Sequence, residues 1–480
     1  MATPEQLIAA LGDWRAGRGP LFARLADALA RASERAALAA GATLPAERVL
    51  AAELGVSRTT VVAAYRELRE RGLAATRHGS GTALRNAVAG PAGASSPALA
   101  GLLARTDATA PVIDLSVGAP ELDGVVEGLG LDGADLARHA PGHGYQPQGW
   151  AELRALVAEM LARRGAPTTP EEVLITVGAQ EAISLAVALV AADGRRIAVE
   201  APGYPGALDA IARAGGSPVA VGRDGAGLRV DTLKPLLERQ HVHALYVAPA
   251  CNNPTGGRTA LHRREQLAAL AAEHELTLVE DTVLADLRYD GDPGAPLWAL
   301  APERVLAAGS LSKVAWGALR VGWLRAPRPV VLRLARVKGA LNLGVGALDQ
   351  LAALALLQDY ERLATQRRAQ AHEHMQALAA ALQREIPDWD VRPSEGGWSL
   401  WIALPTGSGA AFAQTALRHG VAITPGGGVS PDGAFPECVR VCYGPGPPVL
   451  EEAARRLTRA WAAFVDRPAR PGVIEVTSTP

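Results

Sequence analysis

The stretch GSLSKVAWGALRVGW, residues 309–323, contains Lys313, one of only three lysines in a chain that has 45 arginines. A lysine amine can lose its proton and attack a carbonyl carbon, whereas an arginine guanidinium stays charged in proteins. A lysine kept in so arginine-rich a chain suggests an amine that forms a Schiff base. On this segment alone, an ordinary surface charge is an equally good interpretation.

The composition is that of a large globular protein with little overall charge. The chain has 480 residues, is 49% apolar and carries a formal net charge of −1, so no global basic excess marks a nucleic-acid binder. We expect no signal peptide, because the N-terminus has no basic segment followed by an apolar core. We expect no membrane span, because no uncharged apolar run reaches ~18 residues. The sparse cysteines, Cys251, Cys438 and Cys442, fit a reducing cytoplasm and buried thiols better than disulfides or a metal site.

The local composition predicts two domains joined by a linker. Residues 86–111 are rich in Ala, Gly, Pro and Ser, which is typical of a linker. They separate a DNA-binding domain at 1–85 from a large domain at 112–470, followed by a C-terminal tail at 471–480. Residues 20–85 hold ten arginines, no lysine and six acidic residues, a formal charge of +4, whose sign suits nucleic acid.

The pattern within 20–85 predicts three helices and a hairpin. A short helix, a tight turn at Gly55 and a longer helix capped by Ser57 are typical of a helix-turn-helix. The glycine-rich residues 78–81 between two apolar stretches predict a hairpin, which would form a wing. The predicted helices span residues 20–36, 46–54 and 57–72.

The start of the third helix carries the candidate DNA-reading residues Arg58, Thr59 and Thr60. A recognition helix enters the major groove with its N-terminal residues at the bases. Arginine can bond guanine with two hydrogen bonds, and threonine can meet a phosphate or a thymine methyl group. Arg58 alone could equally be a solvated first-turn charge, but the whole arrangement favours DNA binding.

The sequence LPAERVLAAELGVSRTTVVAAYRELRERG, followed by RHGSGT, resembles the winged helix-turn-helix of the GntR regulator superfamily over about residues 20–84. The resemblance implies that double-stranded operator DNA is contacted by the arginine of LPAER, the SRTT segment and the wing tip. Some relatives have a further basic residue where this chain has Val62. The implied DNA-binding residues are Arg48, Ser57, Arg58, Thr59, Thr60, Arg77, His78 and Gly79.

From about 112 to 470, apolar runs alternate with helical stretches, which predicts an α/β domain. Several of the predicted strands end in polar residues, and ligands of open α/β sheets bind at the carboxyl ends of strands. Asp281 could bind a protonated ring nitrogen, Asn253 a ring hydroxyl and Tyr204 a ring face, while Lys313 could condense with an aldehyde. Together these groups describe pyridoxal 5′-phosphate.

A phosphate site is predicted from the same strand ends. A helix that opens at 178–180 directly after a strand presents backbone N–H groups suited to phosphate. The hydroxyls and the guanidinium around the candidate Schiff-base lysine are equally suited to it. The predicted phosphate-binding residues are Ala179, Gln180, Ser310, Ser312 and Arg320.

The order of these motifs resembles fold-type I aminotransferases over nearly all of 112–470. The matching pieces are GYQPQGWAELR, VGAQEA, EAPGYPGAL, NNPTGG, VED and SLSKVAWGALRVGW. The resemblance implies the cofactor roles given above, with Lys313 in a Schiff base with pyridoxal 5′-phosphate. It also implies that Tyr145 reaches the phosphate of a partner subunit and that Arg440 binds a substrate carboxylate. The family usually has a tyrosine two or three residues after the aspartate, where this chain has Val283.

A GntR-type head joined to an aminotransferase-like domain resembles the MocR family of bacterial regulators. The resemblance implies an α/β fold class, with an N-terminal winged helix-turn-helix, a large fold-type I pyridoxal-phosphate-dependent domain and a smaller C-terminal α+β subdomain. It implies a cytoplasmic, nucleoid-associated homodimer that senses pyridoxal 5′-phosphate or an amino-compound effector. We expect weak or no transaminase activity because of Val283. The alternatives are a working aminotransferase with a vestigial head and a DNA-binding protein without a cofactor.

Overall fold

The computed structural model describes residues 11, 14, 20–34, 44–70, 74–77, 81–84, 112–122, 129–140, 142–191 and 194–466. The chain forms two compact units, an N-terminal unit, Met1–Gly93, and a C-terminal unit, Ala94–Pro480. The predicted linker at 86–111 and the predicted tail at 471–480 lie outside the described residues.

The N-terminal unit has the predicted three helices and hairpin. The second helix, α2 Glu47–Leu54, ends where Gly55 turns the chain at φ 60°, a left-handed conformation that glycine adopts without strain. Ser57 caps the third helix, α3 Arg58–Glu70, as predicted, because its Oγ accepts the Thr60 backbone N–H at 3.1 Å. The elements are α1 Leu21–Glu34, α2 Glu47–Leu54, α3 Arg58–Glu70, and antiparallel strands β1 Ala74–Arg77 and β2 Gly81–Leu84.

The core of the N-terminal unit is formed by one apolar side of each helix. Leu25 and Leu29 of α1, Leu50 of α2, and Tyr65 and Leu68 of α3 are almost completely buried. The hydroxyl of Tyr65 donates to the backbone carbonyl of Pro45 at 2.9 Å. This hydrogen bond ties α3 to the segment before α2, so it supports the angle between the two helices.

The C-terminal unit alternates strands and helices as predicted for an α/β fold. Its strands are β3 Ile113–Asp114, β4 Val173–Thr176, β5 Arg196–Ala201, β6 Ser217–Asp224, β7 Gly227–Leu228, β8 Val242–Val247, β9 Thr277–Asp281, β10 Val305–Ser310, β11 Gly322–Arg325, β12 Ser399–Ala403, β13 Val421–Ala422, β14 Thr424–Pro425 and β15 Cys438–Cys442. Its helices are α4 Gly133–His139, α5 Ala151–Ala162, α6 Gly178–Val190, α7 Pro205–Arg213, α8 Val230–Gln240, α9 Leu261–Glu273, α10 Leu297–Leu300, α11 Arg328–Asn342, α12 Ala347–Gln358, α13 Tyr360–Glu385, α14 Gly409–Arg418 and α15 Pro447–Val465.

An eight-stranded mixed sheet forms the centre of this unit, in the order β4-β11-β10-β9-β8-β5-β6-β7. Neighbouring strands from β10 through β6 pair in parallel, and β11 is antiparallel to both of its neighbours. The central strands β8 and β10 are almost entirely buried, because helices cover both faces of such sheets, whereas β6 is mostly partly exposed. The carboxyl ends of the parallel strands therefore lie at one edge of the sheet. The polar residues that we predicted to bind a ligand come directly after these strand ends in the sequence.

A smaller α+β subdomain follows the long helix α13. It contains the three-stranded sheet β12-β15-β14, and β13 pairs in parallel with β3 from the start of the unit. Its aromatic core places the rings of Trp389, Phe412 and Trp461 edge to face, with centroids 5.4–5.5 Å apart. The pairing of β13 with β3 brings residues 115–119 alongside this subdomain.

Two further sequence expectations concern the cysteines and the membrane. Cys251, Cys438 and Cys442 are free thiols, and each of them is buried. In the part of the chain that the structure describes, no helix is both long and apolar enough to cross a membrane.

Replacing Tyr65 with phenylalanine tests the packing of the N-terminal unit. The variant leaves the Pro45 carbonyl without its buried donor, so we expect Tyr65→Phe to destabilise this unit by ~1–3 kcal/mol. Hydrogen exchange of α3 amides in the full-length protein measures the effect. Val62→Ala, on the exposed side of the same helix, is the control, and equal exchange in both variants would contradict the assigned role.

Candidate cofactor and DNA-binding sites

A cavity of about 500 Å³ lies at the carboxyl ends of the parallel strands. It is lined by residues from the ends of β8, β9 and β10, the start of α6, residues 116–119 and the smaller subdomain. The sequence predicted most of its polar lining. The predicted residues that line it are Ala179, Gln180, Tyr204, Asn253, Asp281, Ser312, Lys313, Arg320 and Arg440.

Lys313 ends a single 3₁₀ turn that follows β10 directly. Its Nζ donates to the Gly118 carbonyl at 2.6 Å, and the indole of Trp398 donates to the Lys313 carbonyl at 3.1 Å. Burial lowers the pKa of the Lys313 amine to about 8, and the positive charges of Arg440 and Arg320 act in the same direction. The neutral, nucleophilic amine is therefore accessible near physiological pH.

Asp281 ends β9 and points into the cavity. One carboxylate oxygen accepts the Tyr246 hydroxyl at 2.5 Å, and the other accepts the Val283 backbone N–H at 3.0 Å. Burial raises the pKa of the Asp281 carboxyl. A carboxylate can accept about four hydrogen bonds, so Asp281 keeps capacity for a protonated ring nitrogen, whose charge would favour the ionised form.

The turn between β4 and α6 is built around Gly178 and Arg320. Gly178 has φ 73°, and a Cβ there would lie 2.7 Å from the Arg320 guanidinium. Arg320 is exposed and donates to the Val177 carbonyl at 3.0 Å. The close packing requires glycine and holds a guanidinium beside the N-terminus of α6, an arrangement suited to a phosphate group.

The two serines near Lys313 have different environments. Ser312 lines the cavity, whereas Ser310 is buried and is not among the cavity-lining residues described. The Ser310 hydroxyl donates to the Val321 carbonyl at 2.9 Å and accepts the Ser312 N–H at 3.1 Å. In this structure, Ser310 therefore caps the turn that carries Lys313. Its predicted contact with phosphate stays a prediction.

Tyr204 lies at the N-terminus of α7, where its ring borders the cavity. Its hydroxyl donates to Gln180 Oε1 at 2.8 Å, and Gln180 Nε2 donates to the Gly206 carbonyl at 2.8 Å. Burial raises the pKa of Tyr204 to about 12, so the phenol stays neutral. These bonds fix the ring where it can stack on a flat ligand.

Arg440 projects from β15 into the cavity and is 7% exposed. Its Nη1 donates to Asn253 Oδ1 at 3.0 Å, and its Nη2 donates to the Ser116 carbonyl at 2.7 Å and to Thr424 Oγ1 at 3.3 Å. All three acceptors are neutral, and among the described residues Nε finds no acceptor. The guanidinium is thus buried without a compensating negative charge in these contacts, which favours binding of an anion.

Tyr145, a further predicted cofactor residue, is strongly exposed, at 61%. Its ring lies 5.5 Å from that of His143, and it does not line the cavity of its own chain in the described structure. This exposure is compatible with the predicted contact to a partner subunit, which stays a prediction.

The donor set of the cavity fits pyridoxal 5′-phosphate. A helix N-terminus, a hydroxyl and a guanidinium suit the phosphate, a buried carboxylate suits the pyridine nitrogen, and an amine of lowered pKa suits the aldehyde. The fit rests on groups held within one cavity by bonds to neighbouring backbone, rather than on any single residue.

The predicted DNA-binding residues of the N-terminal unit cluster at the start of α3. Arg58 and Thr59 are exposed, and Arg48 on α2 is exposed as well. Arg58 makes an ion pair with Glu47 at 3.5 Å while its side chain stays 67% exposed, so the pair is readily exchanged for another anion. Arg77 ends β1, and the remaining predicted wing residues, His78 and Gly79, lie outside the described residues.

Comparison with known proteins matches two families in one chain. The bacterial regulatory proteins of the gntR family match residues 21–84, and aminotransferases of class I and II match residues 110–457. The chain is thus a fusion of a GntR-type helix-turn-helix and a fold-type I aminotransferase domain. The cavity and the fold family together indicate pyridoxal 5′-phosphate as its cofactor.

Several curated relatives are HTH-type regulators with the same fused architecture. The HTH-type pyridoxine biosynthesis transcriptional regulator PdxR of Corynebacterium glutamicum is 32% identical over 78% of this chain and 81% of its own length. The probable rhizopine catabolism regulatory protein MocR of Rhizobium meliloti is 30% identical over 73% of this chain and 75% of its own. This chain belongs to the MocR family of transcriptional regulators.

A solved structure supports the fold of the larger domain. The α-aminoadipate aminotransferase LysN of Thermus thermophilus, complexed with N-(5′-phosphopyridoxyl)-L-leucine, aligns with a TM-score of 0.66 at 30% identity. The alignment covers 74% of this chain and 93% of that one. The C-terminal unit therefore has the complete fold of a cofactor-dependent enzyme.

Sequence reasoning missed several residues that hold the site together. Tyr246 bonds Asp281, the Gly118 carbonyl accepts from Lys313, and Trp398 fixes the turn that carries the lysine. A tyrosine near the end of an otherwise apolar strand was a usable signal for Tyr246. The backbone carbonyl had none, because any residue supplies the same group.

Lys313 should be the residue that reacts with the cofactor, and the reaction should depend on pH. At pH 8, about half of the amine is neutral, against roughly 0.4% for an ordinary lysine of pKa ~10.4. We expect the rate at which apo-protein forms a borohydride-trapped adduct with pyridoxal 5′-phosphate to rise with pH and reach its half-maximum near pH 8.

Peptide mapping of the reduced protein identifies the lysine that carries the adduct. Lys313→Ala should carry none, and with the cofactor it should lack the absorbance of an imine formed with the protein. An adduct on Lys234 or Lys338 in the unaltered protein would refute the assignment.

Proposed function

We propose that the aminotransferase-like domain of this regulator senses pyridoxal 5′-phosphate or an amino compound and thereby changes DNA binding by the N-terminal unit. The observation that carries the proposal is the pairing of two groups in one cavity. Lys313 is an amine of lowered pKa, and Arg440 is a buried guanidinium with neutral acceptors. An effector with an amine and a carboxylate would replace Lys313 at the cofactor's aldehyde and place its carboxylate at Arg440.

The cofactor, when bound, supplies an aldehyde that condenses with amines. In the proposed arrangement, Asp281 binds its ring nitrogen, Asn253 its ring oxygen and Tyr204 its ring face. The N-terminus of α6 and Arg320 hold the phosphate. An amino effector would displace Lys313, and the released lysine amine would stay close to the Gly118 carbonyl that accepts from it.

Arg440 is proposed to bind the effector's carboxylate. Its guanidinium is held by three hydrogen bonds, so its position is set before a ligand arrives. Its burial means that a carboxylate bound there would interact through little water and would form charge-assisted hydrogen bonds. This supports an effector of the α-amino or ω-amino acid class.

The second candidate function is transamination by a working enzyme, which the similarity to a complete aminotransferase supports. Val283 argues against rapid turnover, because it lines the cavity where the family usually has a tyrosine. A hydrocarbon side chain cannot donate a hydrogen bond to the ring oxygen. Steady-state assays with common amino donors separate the two, since ordinary enzymes turn over at roughly 1–1,000 per second.

For the N-terminal unit, we propose that α3 reads operator DNA and that the chain acts as a homodimer on the bacterial nucleoid. Arg58, Thr59 and Thr60 would meet the bases, while Arg48 would meet a phosphate. A dimer would carry two such heads, so the operator would have two half-sites. Tyr145 would then reach the cofactor phosphate of the partner subunit.

Arg440→Ala should uncouple a carboxylate-bearing effector from DNA binding. Losing one partner of a desolvated charged contact typically costs roughly 2–5 kcal/mol, so effector affinity should fall at least tenfold. The cofactor absorbance should persist, because Lys313 is unchanged. Titration of DNA binding against effector concentration measures the response.

The control for that titration is Arg459→Ala, which removes an arginine that is 63% exposed in the same unit. An unchanged response in Arg440→Ala would place the effector's carboxylate elsewhere. Turnover of the effector by the unaltered protein at enzyme rates would favour the enzyme over the sensor.

Arg58→Ala should weaken operator binding by ~1–3 kcal/mol if the arginine reads a base, and should weaken random DNA much less. Arg66→Ala, about two turns further along α3, is the matched control. The affinity of each variant for operator and for random duplexes is measured at several salt concentrations. Equal weakening on the two duplexes would indicate a phosphate contact instead, and no weakening would leave Arg58 as a solvated charge.

A further inference from the structure

A second lysine of this lysine-poor chain is completely buried close to the cofactor cavity. Lys338 lies on α11 with a side-chain exposure of 0%. Its Nζ donates to Glu181 Oε1 at 3.1 Å, to Glu181 Oε2 at 3.0 Å and to Asn342 Oδ1 at 2.8 Å. An ammonium group has three donors, and all three are used.

Glu181, the partner of this lysine, lies in the first turn of α6. Its Oε2 accepts the Val177 backbone N–H at 2.6 Å, and its Oε1 accepts from Asn342 Nδ2 at 2.5 Å. The side chain is 14% exposed. Both carboxylate oxygens are therefore held in place, and the bond to Val177 fixes the residue that precedes α6.

Val177 connects this ion pair to the turn that we assign to the cofactor's phosphate. Its N–H is held by Glu181, and its carbonyl accepts from Arg320 at 3.0 Å. A continuous series of contacts thus runs from Lys338 through Glu181 and Val177 to Arg320. The peptide groups on which α6 opens are thus held by the Glu181 carboxylate and by the Arg320 guanidinium.

The charges in this series matter as much as its geometry. A carboxylate in the first turn of a helix is favoured by the helix dipole, but it repels a second anion at the same helix N-terminus. A phosphate monoester carries up to two negative charges. Because the pair is buried, screening by water is weak, so the full positive charge of Lys338 is needed beside Glu181 when the phosphate is present.

We propose that Lys338 is a positioning residue for the phosphate of pyridoxal 5′-phosphate. It neutralises Glu181 and holds the Val177 turn, so that the N-terminus of α6 accepts a doubly charged anion. The inference rests on the proposed placement of the phosphate at α6 and Arg320. It is independent of which effector the regulator senses and of whether the aminotransferase-like domain catalyses transamination.

Comparing pyridoxal 5′-phosphate with pyridoxal isolates the phosphate. Lys338→Met keeps the length of the side chain and removes its charge. We expect the dissociation constant for pyridoxal 5′-phosphate to rise ~10–100-fold, the range typical when a partner that orients an ion's ligands is lost. The dissociation constant for pyridoxal should stay the same. Absorbance titration of the full-length apo-protein measures both constants.

The double variant Lys338→Met/Glu181→Gln tests the charge argument. Removing the uncompensated carboxylate should restore most of the affinity for pyridoxal 5′-phosphate. Lys234→Met, an exposed lysine on α8, is the matched control and should change neither constant. A double variant that binds as poorly as Lys338→Met would overturn the charge argument.

Two more variants keep the proposal open to refutation. If circular dichroism shows that Lys338→Met does not fold, Asn342→Ala is used instead, since it removes one contact from Lys338 and one from Glu181. It should raise the ratio of the pyridoxal 5′-phosphate to the pyridoxal dissociation constant by a smaller factor. Arg320→Ala tests the placement of the phosphate itself. If the ratio of the pyridoxal 5′-phosphate to the pyridoxal dissociation constant rises in Arg320→Ala but stays constant in the folded Lys338→Met or Asn342→Ala variant, this inference alone is overturned. A ratio that is constant in Arg320→Ala would overturn the phosphate placement as well.

Discussion

The site depends on holding one amine, Lys313, in a place with little water. An ammonium group loses hydration there, and among the described residues it donates to the Gly118 carbonyl alone. The resulting pKa of about 8 makes the amine a usable nucleophile. The turn that carries Lys313 is fixed by Ser310 on one side and by Trp398 on the other. The sheet and the smaller subdomain therefore both contribute to the reactivity of a single nitrogen.

The cavity separates its charges in a way that favours a ligand with two anionic ends. Arg320 is exposed beside the N-terminus of α6, where a phosphate is stabilised by backbone N–H groups as well as by the guanidinium. Arg440 is buried and bonded to neutral acceptors only. Asp281 lies in the cavity as well and suits a protonated ring nitrogen. A cofactor phosphate would thus bind to Arg320, and an effector carboxylate would bind to Arg440.

The fold of an enzyme does not by itself make this chain an enzyme. Binding the cofactor and catalysing the conversion of a substrate require different groups. The anchoring groups line the cavity, and so does Val283, at the position where the resemblance to aminotransferases leads us to expect a tyrosine. A site that binds an amino compound without turning it over suits regulation, provided that the ligand binds two states of the protein unequally.

Much of this protein follows from local sequence, and the remainder from contacts between distant segments. The helix-turn-helix, the strand ends and the residues Lys313, Asp281 and Arg320 could be predicted, because turn glycines, caps and apolar periodicity are encoded within a few neighbouring residues. The side chains that line the cavity followed from one topological rule, that parallel strands end at one edge. Ser310 shows the limit of this reasoning, since a serine beside the lysine in sequence faces a backbone carbonyl in the fold.

The bonds from Tyr246 to Asp281 and from Lys338 to Glu181 join residues 35 and 157 positions apart. No local pattern marks the two partners of such a pair. The strand around Tyr246 hints at a role for that residue, but nothing in its sequence neighbourhood points to Asp281, and Lys338 alone is equally compatible with a core or a surface position. Only the packed tertiary structure decides that Lys338 loses its water and must find an anion, whereas Lys234 stays exposed. The sequence by itself determined which chemical groups the chain carries, and the tertiary structure decided which of them are desolvated, and therefore which are paired or reactive.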